Sequence, residues 1–229
     1  MTSARGGRKK KEDILAFELF IPCHRQVDAC TFNAVDLCHI RLPYPFRSLA
    51  IPGDALIGRQ RSRIAYQFMQ GRLAPYMIFV DSDIEFEPED LGRLYSHLKA
   101  GYDLIGGAYT TKRAVQLAHY GYEGKVLLDG QIHEVQFLST GFTGISRKLL
   151  ERMVKEIPLP LCNQDSWAIC YPFYEDGYRN IPGLKTPDLY LSEDWDFCQK
   201  ARQIGVKPFV DTAIRLTHWG PRGWTVNDL

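Results

Sequence analysis

Ile78-Phe79-Val80-Asp81-Ser82-Asp83 is the stretch that decides how the rest of the chain reads. An apolar, partly β-branched run stops abruptly at two carboxylates separated by one serine. Such a run reads as a buried parallel strand. Its last residues then open at the carboxyl edge of a sheet, where open α/β folds place their ligands. Two carboxylates this close repel one another, so a partner that favours both ionised forms is expected. A divalent cation that also holds a phosphate group is such a partner. An Asx-turn is the competing reading, because Asp and Ser commonly cap strands and start helices. A D-x-D triplet alone does not separate the two.

Upstream, Ile14 to Ile21 reads as a first strand closed by Pro22 and followed by Cys23, His24 and Arg25, a place where α/β enzymes receive a nucleotide base. Phe46 to Ile51 reads as a second strand. Asp54 to Gln70 has helical spacing, with Asp54 as N-cap and Gly71 as stop. Ile57, Ile64, Ala65 and Phe68 mark its inner face, and Arg61 falls on that face while Arg59 and Arg63 diverge from it. An inward guanidinium needs a carboxylate or a phosphate beside it. Both a buried Arg–Asp bridge and an arginine aimed at a diphosphate satisfy that need.

Downstream, Pro88 to Lys99 reads as a helix with proline at its first position, and Tyr102 to Tyr109 as a strand running into Lys112. Lys112 is either a surface lysine or a reach towards an anionic ligand. His119 to Phe137 alternates like one or two hairpins around Glu123-Gly124 and Asp129-Gly130. Leu138 to Ser146 reads as a loop of small residues, with Gly141 and Gly144, or as a bulge, leading into a helix over Arg147–Lys155. Pro158 to Tyr190, which includes Trp167, has little periodicity and reads as a substrate loop. Ser192 caps a helix in which Phe197, Ala201 and Ile204 form the buried stripe, Asp194 shares the inner side and Asp196 faces the polar side. Acidic residues in a first turn complement the helix dipole, which accounts for Glu193 but not for an inward Asp194. Val206 to Leu216 is a last strand, followed by Thr217-His218-Trp219-Gly220.

Composition narrows the classes. The 229 residues fit one α/β domain, with 45% hydrophobic and 24% charged residues and a formal net charge of +1. Residues 1–12 hold Arg5, Arg8 and Lys9 to Lys11 and read as a disordered basic tail ahead of a single domain over 13–229. That start has no apolar region of a secretory signal, and no apolar run is long enough to span a bilayer. A cytoplasmic location is the expectation. Cys23, His24, Cys30, Cys38 and His39 lie close in sequence but form no C-x₂₋₄-C pair, against structural zinc.

IFVDSD, LSTGFTGISRKLL, SEDWDFCQKARQIG and THWG follow one another in an order that resembles the GT-A glycosyltransferases, closest to the inverting family 2-like branch and to small bacterial and phage members. The resemblance covers roughly residues 14–220. It implies a GT-A fold, a single Rossmann-like mixed sheet flanked by helices, and transfer of a sugar from a nucleotide-diphosphate donor to an acceptor hydroxyl. UDP-sugars are the commonest donors of the family. By the same resemblance Asp81, Asp83 and His218 would hold Mn²⁺, or Mg²⁺, together with diphosphate oxygens and water, Asp81 would also lie near the ribose, and Ser82 would be among the donor-binding residues. Asp194, with Glu193 before it in the x-E-D motif, would be the general base, implying inversion. Pro22, Cys23, His24 and Arg25 would border the base, Arg61 would approach the diphosphate, and Gly141 and Gly144 would pass beneath the donor sugar. Trp219, with the Trp167 loop, would wall the acceptor, whether glycan, protein, lipid or modified nucleic acid. Two other functions fit D-x-D on a parallel sheet: a nucleotidyltransferase, and a nucleotide-sugar or glycan-binding module without chemistry.

Overall fold

The computed structural model describes residues 15–112, 116–121, 128–184 and 186–228. Along the chain run β1 (Phe17–Cys23), α1 (Ala29–Arg41), β2 (Phe46–Pro52), α2 (Ile57–Gly71), β3 (Tyr76–Val80), β4 (Ile84–Glu85), α3 (Pro88–Lys99) and β5 (Leu104–Ala108). There follow β6 (Ile132–Glu134), β7 (Phe142–Ser146), α4 (Arg147–Glu156), β8 (Gly177–Asn180), β9 (Asp188–Leu191), α5 (Glu193–Gln203), β10 (Phe209–Arg215), β11 (Thr217–Trp219) and β12 (Gly223–Trp224).

Seven strands form a mixed, mostly parallel sheet in the order β2-β1-β3-β7-β5-β10-β6, in which β7 and β6 run against their neighbours. The strand before Asp81 shows why this sheet is central. Met77 and Phe79 pack on one face with Ile64 and Phe68 of α2, Leu149 of α4 and Phe197 of α5. Ile78 and Val80 pack on the other face with Val35 of α1 and Leu94 and Leu98 of α3. An unbroken apolar run is what a strand covered on both faces requires. Helix α3 has the expected bounds, with Pro88 at its start and a capping box between Glu87 and Asp90.

Several segments differ from the sequence reading. Helix α1 lies in a stretch to which the sequence reading assigned no element. Strand β1 begins at Phe17 and continues through Pro22 to Cys23, while Ile14 lies outside the described residues. Proline is tolerated there because the pairing of β1 with β3 ends at Phe20–Phe79, leaving only β2 alongside. Leu56, not Asp54, precedes the first turn of α2, and Ile57 is partly exposed. Arg63 is buried rather than divergent, its guanidinium lying 4.8 Å from the Trp167 ring. The Gly141–Gly144 segment runs into β7 at the middle of the sheet, not through a loop. Its small residues allow close packing: a Cβ on Gly144 would stand 2.8 Å from Leu98.

The segment from Pro158 to Tyr190 is docked, not free. It contains the β8–β9 hairpin, and its Phe173 and Tyr174 are buried, Tyr174 stacking on Phe197 at 4.5 Å. Asp196 does not face solvent; it is buried between Arg179 and Lys200. Of the expected hairpin over His119–Phe137, Tyr120 bridges Phe137 in antiparallel fashion, and the turn at Glu123-Gly124 lies outside the described residues, as does the basic tail. Among the described residues no helix is long and apolar enough to cross a membrane.

Candidate functional site

The carboxyl ends of β1, β3 and β5 open into a cleft of about 790 Å³, a size suited to a nucleotide-sized ligand. Pro22, Cys23 and His24 line it from the end of β1, and Asp54, Gln60 and Arg61 from the start of α2. Asp81, Ser82 and Asp83 enter after β3, Tyr109 and Lys112 after β5, Asp194 from α5 and His218 from β11. Nine of the expected site residues therefore share one cavity.

Asp83 and His218 meet because of a three-stranded sheet outside the main one. Strand β11 pairs antiparallel with β4, opposing Thr217 to Glu85 and His218 to Ile84, and β12 covers its other edge. The Trp219 amide donates to the Asp83 carbonyl at 2.9 Å and the Trp219 indole to Glu85 at 2.8 Å. His218 Nδ1 lies 2.8 Å from the Thr110 carbonyl, which can only accept, so Nδ1 carries a proton. Its Nε2 faces Asp83 Oδ1 at 3.4 Å. The other oxygen of Asp83 accepts from the Lys112 ammonium. Burial pushes the Asp83 carboxyl up, but His218 and Lys112 outweigh it and hold it below its ordinary value.

This donor set fits a hard divalent cation. A metal-ligating histidine gives the N–H of its other ring nitrogen to a carbonyl or carboxylate, as Nδ1 of His218 gives its proton to Thr110, which leaves Nε2 on the side of Asp83. Among the described residues no three His, Cys, Asp or Glu side chains converge into a cage of their own. A cation here would thus take few ligands from the protein and complete its shell with substrate oxygens and water, as Mg²⁺ and Mn²⁺ do beside phosphates.

Asp81 is held differently. Arg61 lies buried beneath the cleft and bridges Asp81 at 2.6 Å and Glu193 at 2.5 Å. Burial works against its charge, yet Asp81, Glu193 and Asp194 together raise its pKa above the ordinary arginine value. Of the two partners left open for Arg61, the structure thus supplies the carboxylates. Burial raises the Glu193 carboxyl, with Arg61 opposing. Glu193 is consequently a clamp for Arg61 and does not line the cleft.

Asp194, one residue on, does line it. Its Oδ1 accepts from the Ser192 hydroxyl and from the Trp195 amide at 2.9 Å. Ser192 stands at the N-cap position of α5 as expected, but its hydroxyl makes no capping bond and orients Asp194 instead. Among the described residues Oδ2 of Asp194 has no hydrogen-bond donor, which leaves it for a ligand. Gly58 makes the approach of α5 possible, since a Cβ there would stand 3.0 Å from the Tyr174 carbonyl and 3.1 Å from Glu193 Cβ.

The remaining expected residues lie at the margins. Gly141 is beside the site: its amide donates to Tyr109 Oη at 2.8 Å and its carbonyl accepts from the Asp81 amide at 2.9 Å. Gly144 is buried within β7, away from the cleft. Arg25 is exposed past the end of β1 and Trp167 is exposed over Arg59 and Arg63; neither lines the cavity. Trp219 flanks His218 outside it. Sequence reading missed Tyr109, Asp54 and Gln60 as site residues. Asp54 is tied to Arg59 at 2.8 Å through each oxygen, and Gln60 donates to the Ile51 and Cys23 carbonyls, pinning the ends of β1 and β2. Polar residues just before and within the first turn of a helix that follows a strand end were the available signal for Asp54 and Gln60.

No family model matches the chain, and no curated protein does. Among solved structures, the crystal structure of A197 from STIV is similar over 93% of this chain and 91% of that one, with a TM-score of 0.64 and 16% sequence identity. At that identity the likeness shows the fold alone, a mixed α/β sheet flanked by helices.

Proposed function

We propose that the chain is a cation-dependent glycosyltransferase of the GT-A type, moving a sugar from a nucleoside-diphosphate donor to an acceptor hydroxyl. The observation that carries the reading is the meeting of Asp83, His218 and Asp194 in one cleft at the carboxyl edge of the sheet. Their order along the chain is that of the family the sequence resembles.

Each residue then has a task. Asp83 and His218 would hold Mn²⁺ or Mg²⁺ against the diphosphate, with Asp81 beside them. The cation, when bound, supplies positive charge where the leaving diphosphate gains negative charge. Arg61 pairs with both Asp81 and Glu193 and ties the two side chains together beneath the donor. Asp194 has one oxygen anchored and one open, which suits a carboxylate that accepts the proton of an acceptor hydroxyl as the new bond forms. Attack from the side of Asp194 opposite the leaving group inverts the anomeric centre. Pro22, Cys23 and His24 would border the base. The acceptor would approach past Trp219, with Trp167 further out.

Incubating the protein with a panel of UDP-, GDP- and TDP-sugars and Mn²⁺ tests this reading through release of nucleoside diphosphate. Release from one donor class that stops on chelation supports it. Release of pyrophosphate instead would identify a nucleotidyltransferase.

A further inference from the structure

Both oxygens of Asp83 are engaged: Oδ1 faces His218, and Oδ2 accepts from the Lys112 ammonium. The stem of Lys112 passes close to Gly220, where an added Cβ would lie 3.4–3.6 Å from its Cβ, Cγ and Cδ, and the residue lines the cleft. The side chain is 38% exposed, so its head can leave the carboxylate without unpacking the core. Lysine is a compact point charge on a flexible stem, able to exchange one anion for another without the geometric demands of a guanidinium. A divalent cation approaching Asp83 meets an ammonium already in place.

We infer that Lys112 is a displaceable counter-ion: it neutralises Asp83 in the empty cleft and passes to the phosphate oxygens when cation and diphosphate arrive. The inference rests on the proposed function for the identity of the anion, but its first half concerns Asp83 alone. Lys112 thereby makes cation binding weak without nucleotide and joins the diphosphate-binding residues once nucleotide is present. No bond is made or broken in the exchange; one ion pair replaces another.

The experiment measures free Mn²⁺ by electron paramagnetic resonance on the full chain, for wild type, Lys112→Met and Lys112→Gln, each checked for an unchanged thermal transition. Without nucleotide, both variants should bind Mn²⁺ about fivefold more tightly than wild type, the size expected for removing one partly exposed ion pair. With Mn²⁺ saturating, both should bind UDP about fivefold more weakly. Mn²⁺ affinity that is unchanged or lower in the variants overturns the inference, as does an absence of Mn²⁺ binding in all three proteins. Tighter Mn²⁺ binding in the variants with no UDP binding by any protein would uphold the counter-ion role and overturn the transfer to phosphate. That last result would also count against the glycosyltransferase reading, which the Mn²⁺ arm does not need.

Discussion

His218 Nε2 faces Asp83 Oδ1 at 3.4 Å because β11 is hydrogen-bonded to β4, the two-residue strand that begins immediately after Asp83. The pairing makes the far end of the chain a wall of the cleft opened by β3. With Nδ1 given to Thr110, the imidazole and the carboxylate present their remaining electron pairs to the same space. A proton or a cation between them is shared by both.

If both side chains hold one ion, their losses are not additive. Asp83→Ala and His218→Ala should each weaken Mn²⁺ binding in the presence of UDP by at least about tenfold. The double variant should be little worse than the more damaging single one. Calorimetric titration of the four proteins checks this. Fully additive losses would place the two residues at separate sites.

Arg61 predicts a stability effect larger than any surface pair. Removing the guanidinium leaves Asp81 and Glu193 half-buried without a counter-charge, so Arg61→Ala should cost about 3–5 kcal/mol in urea unfolding. Arg61→Lys restores the charge but not the two-sided fork, and should recover only part of that loss. A variant as stable as wild type would show that the bridge is not structural.

How much of this was legible in the sequence depends on which force shaped each element. Strand β3 and helix α3 were readable because burial on both faces and a proline-started, capped turn leave strong local patterns. Helix α1 was not, although Thr31, Ala34, Val35 and Cys38 are buried at helical spacing. Its inner residues are small or weakly apolar, while Phe32 and Ile40 are exposed on the outside, which blurs the period. Strand β7 was hidden because Gly141 and Gly144 carry turn chemistry, and only the neighbours Tyr109 and Leu98 reveal that they mark close packing. The inward Arg61 was legible from spacing, but its partners were not, since Glu193 reaches it from the far end of the chain. Asp196 was misplaced for the same reason: burial was decided by Arg179 and Lys200 rather than by its own helix.

His119 should make the fold acid-sensitive. Its Nε2 donates to the Gly107 carbonyl at 2.8 Å and its Nδ1 accepts from the Ser139 amide at 3.1 Å, so the neutral ring is fully bonded. Burial lowers its pKa from 6.5 to about 4. The unfolded chain therefore takes up this proton first as pH falls. The stabilisation is complete above pH 6.5 and is lost as pH drops towards 4, by up to about 3 kcal/mol. Subtracting the stability–pH curve of His119→Gln from that of wild type isolates this contribution. A flat difference across that window contradicts it.

Gly141→Ala should damage the site from behind. The added methyl would stand 2.6 Å from Tyr109 Oη and 3.2 Å from Asp81 Oδ2, so the buried tyrosine or the carboxylate must move. Overpacking of this kind costs about 1–3 kcal/mol. Nucleotide affinity should fall with it, measured by thermal shift with UDP and Mn²⁺. Wild-type affinity in a folded variant would separate Gly141 from the donor site.

Asp194→Asn should divide chemistry from binding. Turnover is expected to fall by about 10²- to 10⁴-fold with UDP and Mn²⁺ binding unchanged, because the amide keeps the shape but cannot accept the proton. Steady-state kinetics beside calorimetry reads the division. Equal turnover would remove Asp194 from the reaction.

The most direct test of the account is electron–nuclear double resonance on the complex of the full chain with Mn²⁺ and UDP. A cation bridging Asp83 and His218 to the diphosphate predicts couplings to both phosphorus and a histidine nitrogen, with the nitrogen coupling alone disappearing in His218→Gln. Phosphorus coupling without any histidine nitrogen, or no protein-bound Mn²⁺, would contradict it.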